Sequence, residues 1–190
     1  MLASASQRRK ELLAQAGLSF EVAAPTLPEL QDVLAALRPS QRAEALAYFK
    51  ARTIWDADPT RWVLGADTIV AVGDAILGKP RDREHAREIL SLLSGTRHEV
   101  ITGLALLCPA GRSIASDTTF VTMRALSAAE LEEYLGSGQW RGKAGAYGIQ
   151  EIGDRFVEKV EGSYSNVMGL PLELLEGMLH RMESAKEVPP

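Results

Sequence analysis

At 190 residues, with 46% hydrophobic and 24% charged side chains, the chain has the makeup of one soluble domain with room for a substantial core. Its formal net charge of -4 argues against a protein that coats nucleic acid or an anionic membrane through overall charge. A single cysteine, Cys108, excludes an internal disulfide and a cysteine-based zinc site, and His85, His98 and His180 are scattered without metal-ligand spacing.

The first residues, Met1 to Arg9, lack the apolar core of a secretory signal, and the apolar run from Val100 to Pro109 is too short to span a bilayer. A cytoplasmic, unanchored protein is expected. The first helical pattern runs from Arg8 to Ala16, with Leu12, Leu13 and Ala16 on its inner face and Ser6 as its natural N-cap. Arg8 and Arg9 fall in its first turn, where each cation opposes the helix dipole at roughly 0.3–1 kcal/mol. That placement suits an anion docking among free amides, the hydroxyls of Ser4 and Ser6, and guanidinium groups; arginines that simply reach into water are the alternative. No P-loop pattern occurs.

Glu29 lies in the proline-flanked stretch Thr26-Leu-Pro-Glu29 and by itself signals only an exposed loop. A second helix is expected from Ser40 to Ala57, with Lys50 the only charge on a stripe of Ala43, Leu46, Ala47, Ala51 and Ile54. The lysine either snorkels at the edge of the stripe or points into a cleft toward phosphate. Next comes Trp62 to Val72, which reads as a buried strand interrupted by one carboxylate, Asp67. A buried charge is costly unless paired, so Asp67 is either satisfied by backbone amides or is a general base or metal ligand at the mouth of a sheet. A turn at Gly73-Asp74 and a short strand from Ala75 to Leu77 would bring Lys79, in Gly78-Lys79-Pro80, back toward it.

Further helices are expected at Asp82 to Leu93, Ser127 to Leu135 and Pro171 to Arg181, with strands at Glu99 to Leu107 and Arg112 to Thr122 joined through Pro109-Ala-Gly111. Gly136 to Gly148 is too rich in turn formers for regular structure, and such long loops in compact domains tend to be functional. The adjoining Lys143-Ala-Gly-Ala-Tyr147-Gly-Ile-Gln150 would suit close backbone approach to a flat ligand with base reading by Gln150, or a tight structural turn equally well. One domain over 1–183 and a loose tail over 184–190 follow from the pattern. The alternation predicts an α/β fold with a mixed central sheet covered by helices.

Taken together, these segments resemble the Maf family of nucleoside triphosphate pyrophosphatases. The likeness is carried by Leu2-Ala-Ser-Ala-Ser-Gln-Arg-Arg-Lys-Glu-Leu-Leu13, Leu46-Ala-Tyr-Phe-Lys50-Ala51, Gly65-Ala-Asp-Thr68, Leu77-Gly-Lys-Pro80, Leu93-Ser-Gly95, the tract from Lys143 to Gln150, and Val167-Met-Gly-Leu-Pro171. Asp67-Thr68 and Ala146-Tyr-Gly-Ile-Gln150 resemble the branch that cleaves dTTP and UTP rather than the one that prefers 7-methylguanosine triphosphate.

The resemblance implies a two-lobed fold around a cleft, similar to inosine triphosphate pyrophosphatases, often as a homodimer, and hydrolysis to a monophosphate and pyrophosphate with a divalent cation, Mg²⁺ or Mn²⁺. It makes Asp67 the proton acceptor, gives Arg8, Thr68 and Gln150 a part in base choice, and sets Arg9, Lys50 and Lys79 on phosphate. It also places Glu29, with Asp67, where the family has acidic groups for metal or catalysis. This chain departs from the family at Gln7, where proline is common, and around Glu29, where the family is more acidic. Two other classes compete: a non-catalytic nucleotide sensor in cell division, and a nucleic-acid binder using the basic first helix end, against which net charge and 6% aromatic content count.

Overall fold

The computed structural model describes residues 1–26, 34, 36–73, 75–149 and 155–184. Among them the strands are β1 (Leu2–Ala3), β2 (Val22–Ala23), β3 (Val63–Val72), β4 (Ala75–Leu77), β5 (Arg97–Cys108), β6 (Gly111–Met123) and β7 (Val157–Glu161). The helices are α1 (Gln7–Gln15), α2 (Pro39–Trp55), α3 (Arg83–Leu93), α4 (Ala128–Ser137), α5 (Tyr164–Val167) and α6 (Leu172–Ser184). All strands belong to one mixed sheet ordered β2-β1-β3-β5-β6-β7, with β4 also paired to β3. The expected α/β architecture with a mixed sheet is what forms.

The long apolar run becomes β3, and β5 pairs along one edge of it from Val63 to Ala71. Its other edge is shared. There β1 runs parallel to Leu64 and Gly65, and β4 folds back onto Val70 to Val72. Between these two short partners, Ala66 to Ile69 face an opening in the sheet. Asp67 and Thr68 are in the middle of it.

Two glycines set how closely α2 lies on this sheet. A Cβ on Gly65 would fall 2.1 Å from the Ala47 carbonyl oxygen, and one on Gly103 would fall 2.3 Å from the Ala43 carbonyl carbon. Only hydrogen fits at either position, and α2 answers with Ala43, Ala47 and Ala51, all fully buried. Because side chains two apart on a strand share a face, Asp67 projects on the same side as Gly65, toward α2. The opposite face carries α1 and α6, where Leu12, Leu13, Leu175 and Met178 pack with Leu2, Leu64 and Leu104. A separate cluster built on Leu77, Leu90, Leu93, Val121, Tyr134 and Phe156 forms the second lobe beneath α3 and α4.

The hairpin of β5 and β6 forms as the turn residues predict. The two-residue strands β1 and β2, together with β7, escape periodicity; the first two are shorter than one full alternation of inward and outward side chains. α2 begins one residue before the expected Ser40, with proline in its first turn and the Arg38 backbone N–H donating to Gln41 Oε1 at 3.3 Å. Ser6 occupies the N-cap of α1 but makes no capping hydrogen bond from its side chain, contrary to expectation. Instead its backbone N–H donates to Ser4 Oγ at 3.2 Å. Ser184 ends α6, and the rest of the expected tail lies outside the described residues, as does Asp74 of the predicted turn.

Candidate active site

The opening beside β3 is the floor of a cleft with a volume of about 910 Å³. It receives residues from five places in the chain. Ser4 and Ser6 come from the exit of β1, Arg8 and Arg9 from the first turn of α1, Lys50 from α2, Asp67 and Thr68 from β3, and Lys79 from the turn after β4. Eight of the residues singled out from sequence therefore line one cavity. Glu29 and Gln150 lie outside the described residues.

On the α2 side of the sheet, Lys50 Nζ donates to Asp67 Oδ1 in a half-buried ion pair. Burial lowers the lysine's affinity for its proton; Asp67 acts against that, and the nearby cations Arg9 and Lys79 act with it. The lysine that looked alone on its stripe thus has a carboxylate partner 17 residues away in sequence. Lys79 is exposed, and its turn is held where the Gly78 carbonyl accepts from the Gly145 N–H at 3.2 Å.

On the other side, Arg9 is built into the wall. Its Nε donates to the Gly169 carbonyl at 2.7 Å, Nη1 to Ser4 Oγ at 3.2 Å and Nη2 to Thr68 Oγ1 at 3.0 Å. Burial pulls its pKa down from the usual arginine value, and Asp67 opposes that pull. Ser4 Oγ accepts from both Arg9 and the Ser6 N–H, so its own proton is the capacity left for an anion.

A third wall comes from the tract after Trp140. Gly145 and Ala146 both have positive φ, 70° and 61°. A side chain at Gly145 would press on Val70, its Cβ lying 3.0 Å from Cγ2, and the non-glycine Ala146 carries local backbone strain. The strained turn brings Lys143, Tyr147 and Gly148 to the cleft, with Lys143 Nζ donating to the Gln139 carbonyl at 2.5 Å. Behind it Tyr147 Oη and His98 Nε2 are 2.7 Å apart, with the rings edge to face. Burial drives the His98 pKa down from 6.5 to about 4, with a backbone contact to Thr96 acting weakly the other way. It also pushes the Tyr147 hydroxyl up.

Sequence reasoning missed Thr102, Asn166, Gly169 and Arg141. The signal for Thr102 was available, since it interrupts the apolar run of β5 as Asp67 interrupts that of β3. Asn166, fully buried, sits on a helix of four residues, too short to show a period.

Among the described residues no three His, Cys, Asp or Glu side chains gather as a metal cage. The side-chain oxygens that line the cleft are the carboxylates of Asp67 and Glu11 and several hydroxyls, with no thiolate, which fits a hard divalent cation. Such a cation commonly takes only one or two carboxylates and completes its shell with substrate phosphate and water. No helix among the described residues is long and apolar enough to cross a membrane.

A sheet with an interrupted edge, filled by one carboxylate and several cations, defines a cleft for a polyanionic substrate. The chain belongs to the Maf family: the Maf-like protein family matches residues 1–182. It is 44% identical over 184 residues to a dTTP/UTP pyrophosphatase of Ruminiclostridium cellulolyticum, covering 96% of this chain and 95% of that protein. Proteins of the same name from Myxococcus xanthus and Rhodospirillum rubrum are 46% and 47% identical, covering 95% and 90% of this chain and 91% and 82% of their own lengths.

Proposed function

We propose that this chain hydrolyses dTTP and UTP to the nucleoside monophosphate and pyrophosphate in the cleft beside β3. The observation that supports it most is the setting of Asp67, a lone carboxylate in the sheet opening with Lys50, Lys79, Arg8 and Arg9 on the same cavity. A triphosphate brings several negative charges, and an acidic protein attracts it only through a concentrated local patch of this kind.

In this reading Asp67 takes a proton from the water that attacks the α-phosphorus. The bond from that phosphorus to the oxygen bridging to the β-phosphate breaks, and pyrophosphate leaves. Lys79 meets the phosphates, and the Ser4 and Ser6 hydroxyls add donors beside it. Lys50 holds the Asp67 carboxylate in place and neutralises charge beside the reacting phosphorus. Arg9 acts through the wall it braces and through whichever N–H groups its three protein partners leave over.

A divalent cation, Mg²⁺ or Mn²⁺, would be held by Asp67 together with phosphate oxygens, with Glu29 as the second acid by family resemblance. Bound there it would screen phosphate charge and polarise the phosphoryl oxygens. Thr68, Arg8 and Gln150 read the base, Gln150 on resemblance alone. Its amide offers one donor and one acceptor, the complement of the N3–H and adjacent carbonyl of uracil or thymine. A homodimer completes this reading on the same resemblance, and a reducing cytosol suits the lone Cys108.

The test is pyrophosphate release from the purified protein across a panel of nucleoside triphosphates, with and without chelator. The expected result is chelator-sensitive release that is fastest with dTTP and UTP. Nucleotide binding without any release would leave the protein a sensor, and preference for 7-methylguanosine triphosphate would move it to the other branch.

A further inference from the structure

Thr68 and Thr102 are cross-strand partners on β3 and β5, and their hydroxyl oxygens are 3.0 Å apart. Either could donate to the other, and the neighbours on each side decide which does. A guanidinium never accepts a hydrogen bond, so the 3.0 Å contact from Arg9 Nη2 makes Thr68 Oγ1 an acceptor. At the other end a carbonyl never donates, so the 3.1 Å contact to the Asn166 oxygen makes Thr102 the donor. Thr102 has one hydroxyl proton, and it is committed there. Toward Thr68 it can therefore only accept.

The direction of the whole chain follows: Arg9 to Thr68, Thr68 to Thr102, Thr102 to Asn166. Its far end is fixed, because the Asn166 side-chain amide donates to the Val100 carbonyl and to Thr119 Oγ1, both at 2.9 Å. The same Asn166 carbonyl also accepts from the Gly169 N–H at 2.8 Å, so Thr102 completes its two acceptor sites. The near end starts at a permanent cation. Thr68 lines the cleft, but its proton points away along the sheet, and what its oxygen still offers is a single lone pair.

We infer that Thr102 is a positioning residue for substrate choice: by taking the Thr68 proton it makes Thr68 an acceptor only. Such a group adds a second acceptor, beside the Gln150 amide oxygen, for the N3–H of uracil or thymine, and it rejects cytosine, whose N3 is a bare acceptor. This rests on the pyrimidine triphosphate reading above and extends it to a buried residue that need never touch substrate.

The experiment compares kcat/KM for UTP and CTP in the wild type, Thr102→Val and Thr102→Ser. Valine keeps the shape and removes the acceptor, freeing the Thr68 hydroxyl to rotate and donate. The UTP-to-CTP ratio is expected to fall roughly tenfold, about the worth of one hydrogen bond, partly through faster CTP cleavage. Serine should keep the wild-type ratio. A merely structural role for Thr102 would slow both substrates equally, and an unchanged ratio in Thr102→Val overturns the inference.

Should the valine variant fail to fold, the wild type answers with 3-deazauridine triphosphate, which has C–H in place of N3–H. Its kcat/KM should be roughly tenfold below that of UTP; equal rates overturn the inference. Absence of UTP cleavage by the wild type overturns the functional reading itself. Cleavage with an unchanged ratio overturns this inference alone.

Discussion

The two faces of β3 at the sheet opening are built on opposite principles. Toward α2, Asp67 and Lys50 form an ion pair of two groups, each still partly exposed, at 17% and 19%. Toward α1 and α5, Thr68 is tied through Arg9, Thr102 and Asn166 into a chain of hydrogen bonds running deep into the protein. In the proposed function adjacent residues of one strand would serve two tasks, the α2 face keeping charge available for chemistry and the other keeping a polar surface rigid for recognition. A partly hydrated pair can exchange partners when a polyanion arrives, whereas a saturated buried network is costly to rearrange.

The largest expected effect breaks the chemical face. Asp67→Asn should lower pyrophosphate release by roughly 10²–10⁴-fold, since an amide cannot take a proton from water. The protein should stay folded because Lys50 remains partly solvated. Near-normal turnover in a folded variant would leave Asp67 no catalytic part, and a collapse in thermal stability would make it structural.

The recognition face is sensitive to acid. His98 is on the same side of β5 as Thr102, is 1% exposed, and holds Tyr147 against the cleft wall. Its folded-state pKa, lowered by burial from 6.5 to about 4, means that the unfolded chain binds the proton first as pH falls. Stability from this group is fully present above pH 6.5, declines as pH falls, and is exhausted below about 4, a total of roughly 3 kcal/mol. Urea unfolding from pH 7.5 to 4.5 measures it. His98→Gln, which keeps a polar group near Tyr147, should flatten the slope by about one proton, and parallel slopes in the two proteins would contradict the assignment.

The chemical face was far more legible in the sequence than the recognition face. Asp67 and Lys50 each stand out as one charge against an apolar background, and burying a charge is costly enough that such an interruption carries information. Their pairing was not legible, because it depends on Gly65 and Gly103 letting α2 approach the sheet, a distance no periodicity encodes. Arg9 was legible as a cation in a first helical turn, but not as a brace, since its partner Gly169 is 160 residues away. Thr102 interrupts an apolar run too, but a hydroxyl costs far less to bury than a charge and so carries a weaker signal, and Asn166, on a helix of four residues, shows no period at all. The mixed sheet was readable from its long strands, while β1 and β2, whose shortness shapes the opening, were not.

The smallest effect tests whether a residue in this region serves the fold or the ligand. Ser6 stands at the N-cap of α1, where replacing a capping serine by alanine ordinarily costs about 1 kcal/mol. Here the side chain makes no capping bond, so Ser6→Ala should cost only a few tenths of a kcal/mol. Ser127 supplies the contrast within the same molecule. Its hydroxyl accepts from the Glu130 N–H at 3.3 Å, and Glu130 Oε2 accepts from the Ser127 N–H at 2.9 Å, a complete capping box. Ser127→Ala should therefore lose about 1 kcal/mol in chemical denaturation while leaving KM for UTP unchanged, because α4 caps the second lobe away from the cleft. Ser6→Ala should do the reverse, keeping stability and raising KM several-fold through one lost donor to phosphate. A helix end left uncapped by its own serine is a helix end whose amides and hydroxyl are still available to an anion. Equal destabilisation in the two variants would show that Ser6 caps α1 in solution and would remove it from the phosphate site.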